Sequence, residues 1–104
     1  MADKYGVQIA LGTANIPSIA SDTTALAANP ARCAFMIQNL GTNALFVRFG
    51  TGASSTVFHV VLKAGTGNDD GSGGTFAMEG ETMWQGIISI AGTSPRYTVA
   101  ELTA

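Results

Sequence analysis

The sequence predicts an all-β chain, a single-domain antiparallel β-sandwich that is jelly-roll-like, with seven or eight short strands. Three observations lead there. Short runs alternate apolar and polar side chains, the period of a strand with one buried face. Clusters of Gly, Asn, Asp, Ser and Pro separate these runs at regular spacing, the pattern of sandwiches and barrels. No segment is convincingly helical in its periodicity. A jelly roll is preferred to an immunoglobulin-like sandwich because paired cysteines with a tryptophan between them are missing.

The elements follow in order. In residues 5–11, Tyr5, Val7, Ile9 and Leu11 share one side, which reads as an edge strand or an extended arm that pairs with a neighbouring subunit. Residues 12–17, from Gly12 to Pro17, then break the pattern. Residues 18–28 suit a strand better than a helical turn, and Asn29-Pro30 ends them because the residue before proline avoids αR. Residues 32–38 and 44–49 alternate around Asn39-Leu40-Gly41-Thr42-Asn43, a turn-forming cluster, so the stretch predicts a β-hairpin. Its inner face is Cys33, Phe35, Ile37, Leu45, Val47 and Phe49. Its outer face carries Arg32, Ala34, Met36, Gln38, Phe46 and Arg48.

After a turn at 50–55, residues 56–62 resume a strand with Phe58, Val60 and Leu62 on one face and His59 and Val61 on the other. The polar, glycine-rich stretch 63–74 predicts a loop and the most mobile part of the chain. Residues 75–78 form a short strand, 79–82 a turn, 83–91 a strand, 92–95 a turn and 96–102 the closing strand. Residues 1–30 thus read as an N-terminal arm with the first strands, and 31–104 as the body of one domain.

With 104 residues the chain can remove roughly two-thirds of its unfolded surface from water. Cys33 is alone, so no internal disulfide forms, and its strand position suggests a small buried hydrophobe. The N-terminus lacks the basic and apolar regions of a signal peptide, and no apolar run is long enough to cross a membrane. Five basic residues stand singly against seven acidic ones, so no basic stripe points to nucleic acid. Charged residues make up only 12% of the chain, about half the usual share of a soluble domain. Either much of this surface faces protein or it is a neutral Thr, Ser, Ala and Gly surface; composition leaves the two even.

Candidate chemistry is thin. Gly50-Thr-Gly52 and Gly65-Thr-Gly67 open no helix and carry no Lys-Ser/Thr, so they read as turns rather than phosphate loops. Asn68-Asp69-Asp70-Gly71 resembles one row of a calcium-binding repeat, but one row cannot supply six to eight oxygens. One histidine, His59, and one cysteine make a protein zinc site improbable, and Glu79 and Glu81 lack the aromatic surroundings of a glycosidase pair. No catalytic, metal or cofactor residues are therefore assigned. A contact surface is. Met36 and Phe46 mixed with Arg32, Gln38 and Arg48 have the composition of a partner surface. Tyr5, Val7, Ile9 and Trp84 join Arg32, Met36, Phe46 and Arg48 as the candidate interface residues.

Arg32, Ile37-Gln38-Asn39, Gly41, Asn43, Phe46-Val47-Arg48-Phe49-Gly50, Phe58, Leu62-Lys63-Ala64-Gly65, Ile88-Ser89-Ile90 and Val99 form a further pattern. Over about residues 30–102 it resembles small β-sandwich structural proteins of tailed bacteriophages, in particular capsid decoration or cement proteins, including those of cyanobacterial phages. The resemblance implies a non-enzymatic virion component, made in the host cytoplasm and bound in many copies to the outer face of the major capsid protein, which it stabilises. It also implies a homotrimer at local three-fold positions and no cofactor. The alternative is a tail fibre, tailspike or baseplate module that binds a host receptor or glycan, with Trp84, Tyr97 and His59 in an exposed pocket.

Overall fold

The computed structural model describes residues 12–15, 19–80 and 83–103, with side chains from Asp22 onward. Among these residues eight strands form: β1 (Gly12–Asn15), β2 (Ile19–Leu26), β3 (Arg32–Asn39), β4 (Leu45–Phe49), β5 (Val60–Leu62), β6 (Thr75–Glu79), β7 (Ile88–Thr93) and β8 (Arg96–Thr103). They build two four-stranded sheets, the first in the order β1-β8-β3-β6 and the second β2-β7-β4-β5. Every strand pair is antiparallel. The pairs β1–β8, β2–β7, β3–β6 and β4–β5 are nested one inside the next, which is a long hairpin rolled up, the jelly-roll connectivity. Both sheets draw on strands from either side of residue 30.

The strands' inward positions fill the space between the sheets. Phe35, Ile37, Tyr97 and Val99 come from the first sheet, and Leu26, Leu45, Val47, Leu62, Ile88 and Ile90 from the second. Phe76 and Phe49 pack around Phe35, with ring centroids 6.0 and 6.4 Å away. Each fully buried aliphatic side chain contributes up to about 1.5–3 kcal/mol by leaving water.

Several sequence expectations change. The segment 5–11, with Tyr5, Val7 and Ile9, lies outside the described residues, as do Glu81 and Thr82 of the expected 79–82 turn. The break at 12–17 contains β1, because the exposed edge of β8 gives Gly12–Asn15 a partner that overrides the glycine. The expected hairpin does not exist: β3 belongs to the first sheet and β4 to the second, and residues 40–44 carry the chain across the sandwich. Asn39, 1% exposed, makes that crossing possible. Its Nδ2 donates to the carbonyls of Asn43, Leu62 and Lys63, and its Oδ1 accepts from the Gly41 N–H. Gly73 passes so close that a Cβ there would run into the Asn39 carbonyl oxygen.

The strand expected over 56–62 shrinks to Val60–Leu62, and Phe58 turns outward onto Phe46, at a ring distance of 5.0 Å. The strand expected over 83–91 begins only at Ile88 and runs through Thr93, so the turn expected over 92–95 narrows to Ser94 and the buried Pro95. The 63–74 loop is pinned to the crossing segment, with Gly65 N–H donating to Gly41 O and Asp69 N–H to Leu40 O.

Arg32 is the largest correction. Plain alternation puts it on the outer face, yet it is 1% exposed. The β3–β8 register shifts between Arg32 and Ala34, so a bulge at Cys33 reverses the phase and sets Arg32 opposite the buried Thr103. Cys33 itself is half-buried, its thiol directed to the Leu102 carbonyl. Arg32 Nε donates to Glu101 Oε1 at 2.8 Å, Nη1 to the carbonyls of Trp84 and Gly86, and Nη2 to that of Ala27. Those carbonyls hold residues 84–86 as an irregular segment.

Removing one partner of such a buried pair leaves the other uncompensated. Arg32→Met is expected to lower stability by about 3–5 kcal/mol in urea unfolding, and the addition of Glu101→Leu to recover part of that loss.

Candidate interaction surface

The two sheets present different outer faces. On the second sheet, the 50–58 loop folds back over β7. Ser89, fully buried, donates from Oγ to Gly50 O and accepts from the Ala53 N–H. Asp22, at φ 50°, accepts from the Gly52 N–H at 2.6 Å and donates its own N–H to Ala53 O. At the β4–β5 end of this face, Phe46, Phe58 and Val61 lie together, the last 50% exposed.

On the first sheet the outward positions fall into cross-strand rows. Ala100, Met36 and Ala77 lie side by side, as do Leu102, Ala34 and Glu79. The next row, Thr98, Gln38 and Thr75, is polar. The first two rows floor a groove of about 540 Å³, in which three alanines leave space between Met36 and Leu102 and Glu79 is the one carboxylate. No described loop crosses this groove as 50–58 crosses the second sheet.

The expected interface residues therefore do not share one surface. Met36 lines the groove, while Phe46 and Arg48 lie on the opposite outer face because β3 and β4 are in different sheets. Arg48 is half-buried, and its enclosed Nε has no hydrogen-bond partner among the described residues. Arg32 is interior and can form no outer contact. Trp84, 38% exposed, lies against Gly86, donates from Nε1 to Ile87 O at 2.8 Å and stacks on Phe49 at 6.5 Å. His59 stacks on the same Phe49 at 4.9 Å, its Nδ1 accepting from the Phe49 N–H. Tyr97, the third member of the alternative exposed pocket, is 4% exposed in the core, and burial raises its phenol pKa.

Ala77, Ala100 and Leu102 were not singled out by the sequence. They are small or common strand residues whose importance comes only from the register that lines them up with Met36. Phe58 and Val61 were visible as strand residues, but the side they face depends on where β5 begins.

The acidic loop uses its carboxylates internally. Asp70 accepts from the Ser72 N–H and hydroxyl and from Thr66 Oγ1. Asp69 holds Arg96 through both oxygens, at 2.7 and 2.6 Å. Among the described residues, no group of three or more His, Cys, Asp or Glu is placed to hold a metal ion. No family model, curated protein or solved structure matches this chain.

Hydrogen bonding to Arg96 lowers the Asp69 pKa, and hydrogen bonding to Ser72 lowers that of Asp70, both from 3.8. Their contribution is complete above that value and is lost as pH falls through the lowered values. Amide exchange at Thr66 and Ser72 is expected to quicken only below pH 3.8, and Asp70→Asn to quicken it already at neutral pH.

Proposed function

We propose that this chain is a non-enzymatic virion structural protein, a capsid decoration or cement protein that seats on the outer face of the major capsid protein. The observation that carries this reading is the uncovered groove around Met36, Ala100 and Leu102 on the first sheet, in a chain whose charged share is only 12%. A sheet face with an apolar hollow and a polar Thr/Gln border has the make-up of an interface core with its rim. Repeated over a lattice, many such contacts must break together before the shell opens. A homotrimer at local three-fold positions would let one patch serve every copy.

One feature favours the second reading, a receptor- or glycan-binding module of a tail fibre, tailspike or baseplate. Trp84 and His59 flank Phe49 as an aromatic row with both outer members exposed, a stacking surface for a sugar ring.

Co-sedimentation of purified protein with empty shells separates the two. Cement is expected to bind to saturation at one copy per shell subunit, whereas a handful of copies at one vertex would place the protein in the tail. Met36→Glu is expected to change folding stability by less than about 1 kcal/mol while lowering shell affinity at least about tenfold, some 1.4 kcal/mol. Undiminished binding by that variant would sink the assignment of the groove.

A further inference from the structure

Exposed apolar side chains gather at the β4–β5 end of the second sheet's outer face. Val57, Phe58 and Val61 are three of the four large apolar side chains exposed among the described residues. Val61 pairs with Phe46 across the strands, and the Phe58 ring lies 5.0 Å from that of Phe46. The loop residues are held out rather than left loose. Ser54 and Val57 exchange backbone hydrogen bonds, and Ser54 Oγ accepts from the N–H groups of Thr56 and Val57, which closes a tight turn just before Phe58. An anchor fixed in this way loses little freedom when a partner arrives.

The charges beside this patch have one sign. Among the described Lys and Arg residues, Arg32 is paired with Glu101 and Arg96 with Asp69, whereas Arg48 and Lys63 have no described carboxylate partner. Arg48 is the next outward residue of β4 after Phe46, set opposite Ser89, and exposed Lys63 follows Leu62 at the end of β5. Of the carboxylates on neighbouring segments, Asp22 on β2 accepts from the Gly52 N–H, and Asp70 is bonded to Thr66 and Ser72. Leu62 is level with Leu45, so Lys63, one row further, and Arg48 stand at opposite ends of the patch, about 13 Å apart along the strands.

We infer that this face docks an extended protein segment in which an apolar side chain stands midway between two carboxylates four residues apart. In an extended chain, alternate residues share one side, and four residues span about 13 Å. The apolar side chain then falls on Phe46 and Val61 while the carboxylates reach Lys63 and Arg48. A second copy meeting patch to patch would set Arg48 and Lys63 against like charges, a repulsive arrangement. Single-stranded nucleic acid fits less well, because bases stack on aromatic faces and two of the three exposed side chains here are valines. The face lies opposite the groove, so this inference is independent of shell binding through the first sheet.

The test is an NMR titration of the isotope-labelled full chain with two end-capped synthetic peptides, Glu-Thr-Leu-Thr-Glu and the same sequence with Lys in place of both Glu. The acidic peptide is expected to shift the amides of Phe46, Val57, Phe58 and Val61 with a Kd on the order of 1 mM, and the basic one to bind at least about tenfold more weakly. Lys63→Glu, at an exposed position that leaves the fold intact, is expected to weaken the acidic peptide at least about fivefold. Equal binding of the two peptides, shifts centred on other residues, or no shift at about 10 mM acidic peptide would overturn the inference. So would displacement of the peptide by oligothymidylate, which assigns the face to nucleic acid, or concentration-dependent shifts of the same amides without peptide, which assign it to a second copy.

Discussion

The guanidinium of Arg32 is the contact on which one end of the sandwich depends. Three carbonyls from Ala27, Trp84 and Gly86, all outside the strands, and the carboxylate of Glu101 on β8 converge on it. Asn29 Nδ2 donates to the second oxygen of Glu101, and Gln85 Nε2 donates to Pro30 O and Arg32 O, so the cluster is closed on all sides. Buried polar groups stabilise a structure only when each has its partners, and here the irregular 84–86 segment exists because Arg32 supplies them. At the other end of the same strand, Asn39 performs the matching task for the carbonyls of residues 43, 62 and 63. β3 is thus a central strand with a polar clasp at each tip and apolar residues between.

Alternation made most strands legible in the sequence, since Phe35 and Ile37, Leu45 and Val47, and Tyr97 and Val99 each declare a buried face. What alternation does not declare is the partner. The Asn39–Asn43 cluster has the composition of a hairpin turn, but that composition says only that the chain changes direction. Whether the next strand joins the same sheet or the opposite one is decided by long-range pairing of β3 with β8 and β6 and of β4 with β7 and β5. Phase is the second gap. A single bulge at Cys33 moves Arg32 from the outside to the inside, and no residue type announces it. The third gap is Met83 to Ile87, apolar enough for a strand but held in irregular form by side-chain bonds from Arg32 and Trp84. The groove was the least legible feature, because three alanines become a surface only when register sets them side by side.

The asymmetry between the two outer faces follows from the loops. The β4–β5 connection is long enough to lie back over its own sheet, and Ser89 and Asp22 tie it down. The long β5–β6 connection instead bonds to Asn39 and Arg96 at the end of the sandwich, away from the residues that line the groove. Among the described residues, a loop therefore folds over one outer face and none folds over the groove on the other.

Nested pairing has a consequence for how this fold is reached. The innermost pair, β4–β5, is close in sequence, but each further pair encloses the last, and β1 must find β8 across nearly the whole described chain. Such non-local closure is slow, on the order of milliseconds to seconds for a chain of this type. During synthesis the N-terminal strands emerge from the ribosome long before their partners do. They must wait with bare edges, and it is at that stage that chaperone capture or mispairing with a nascent neighbour competes with correct closure.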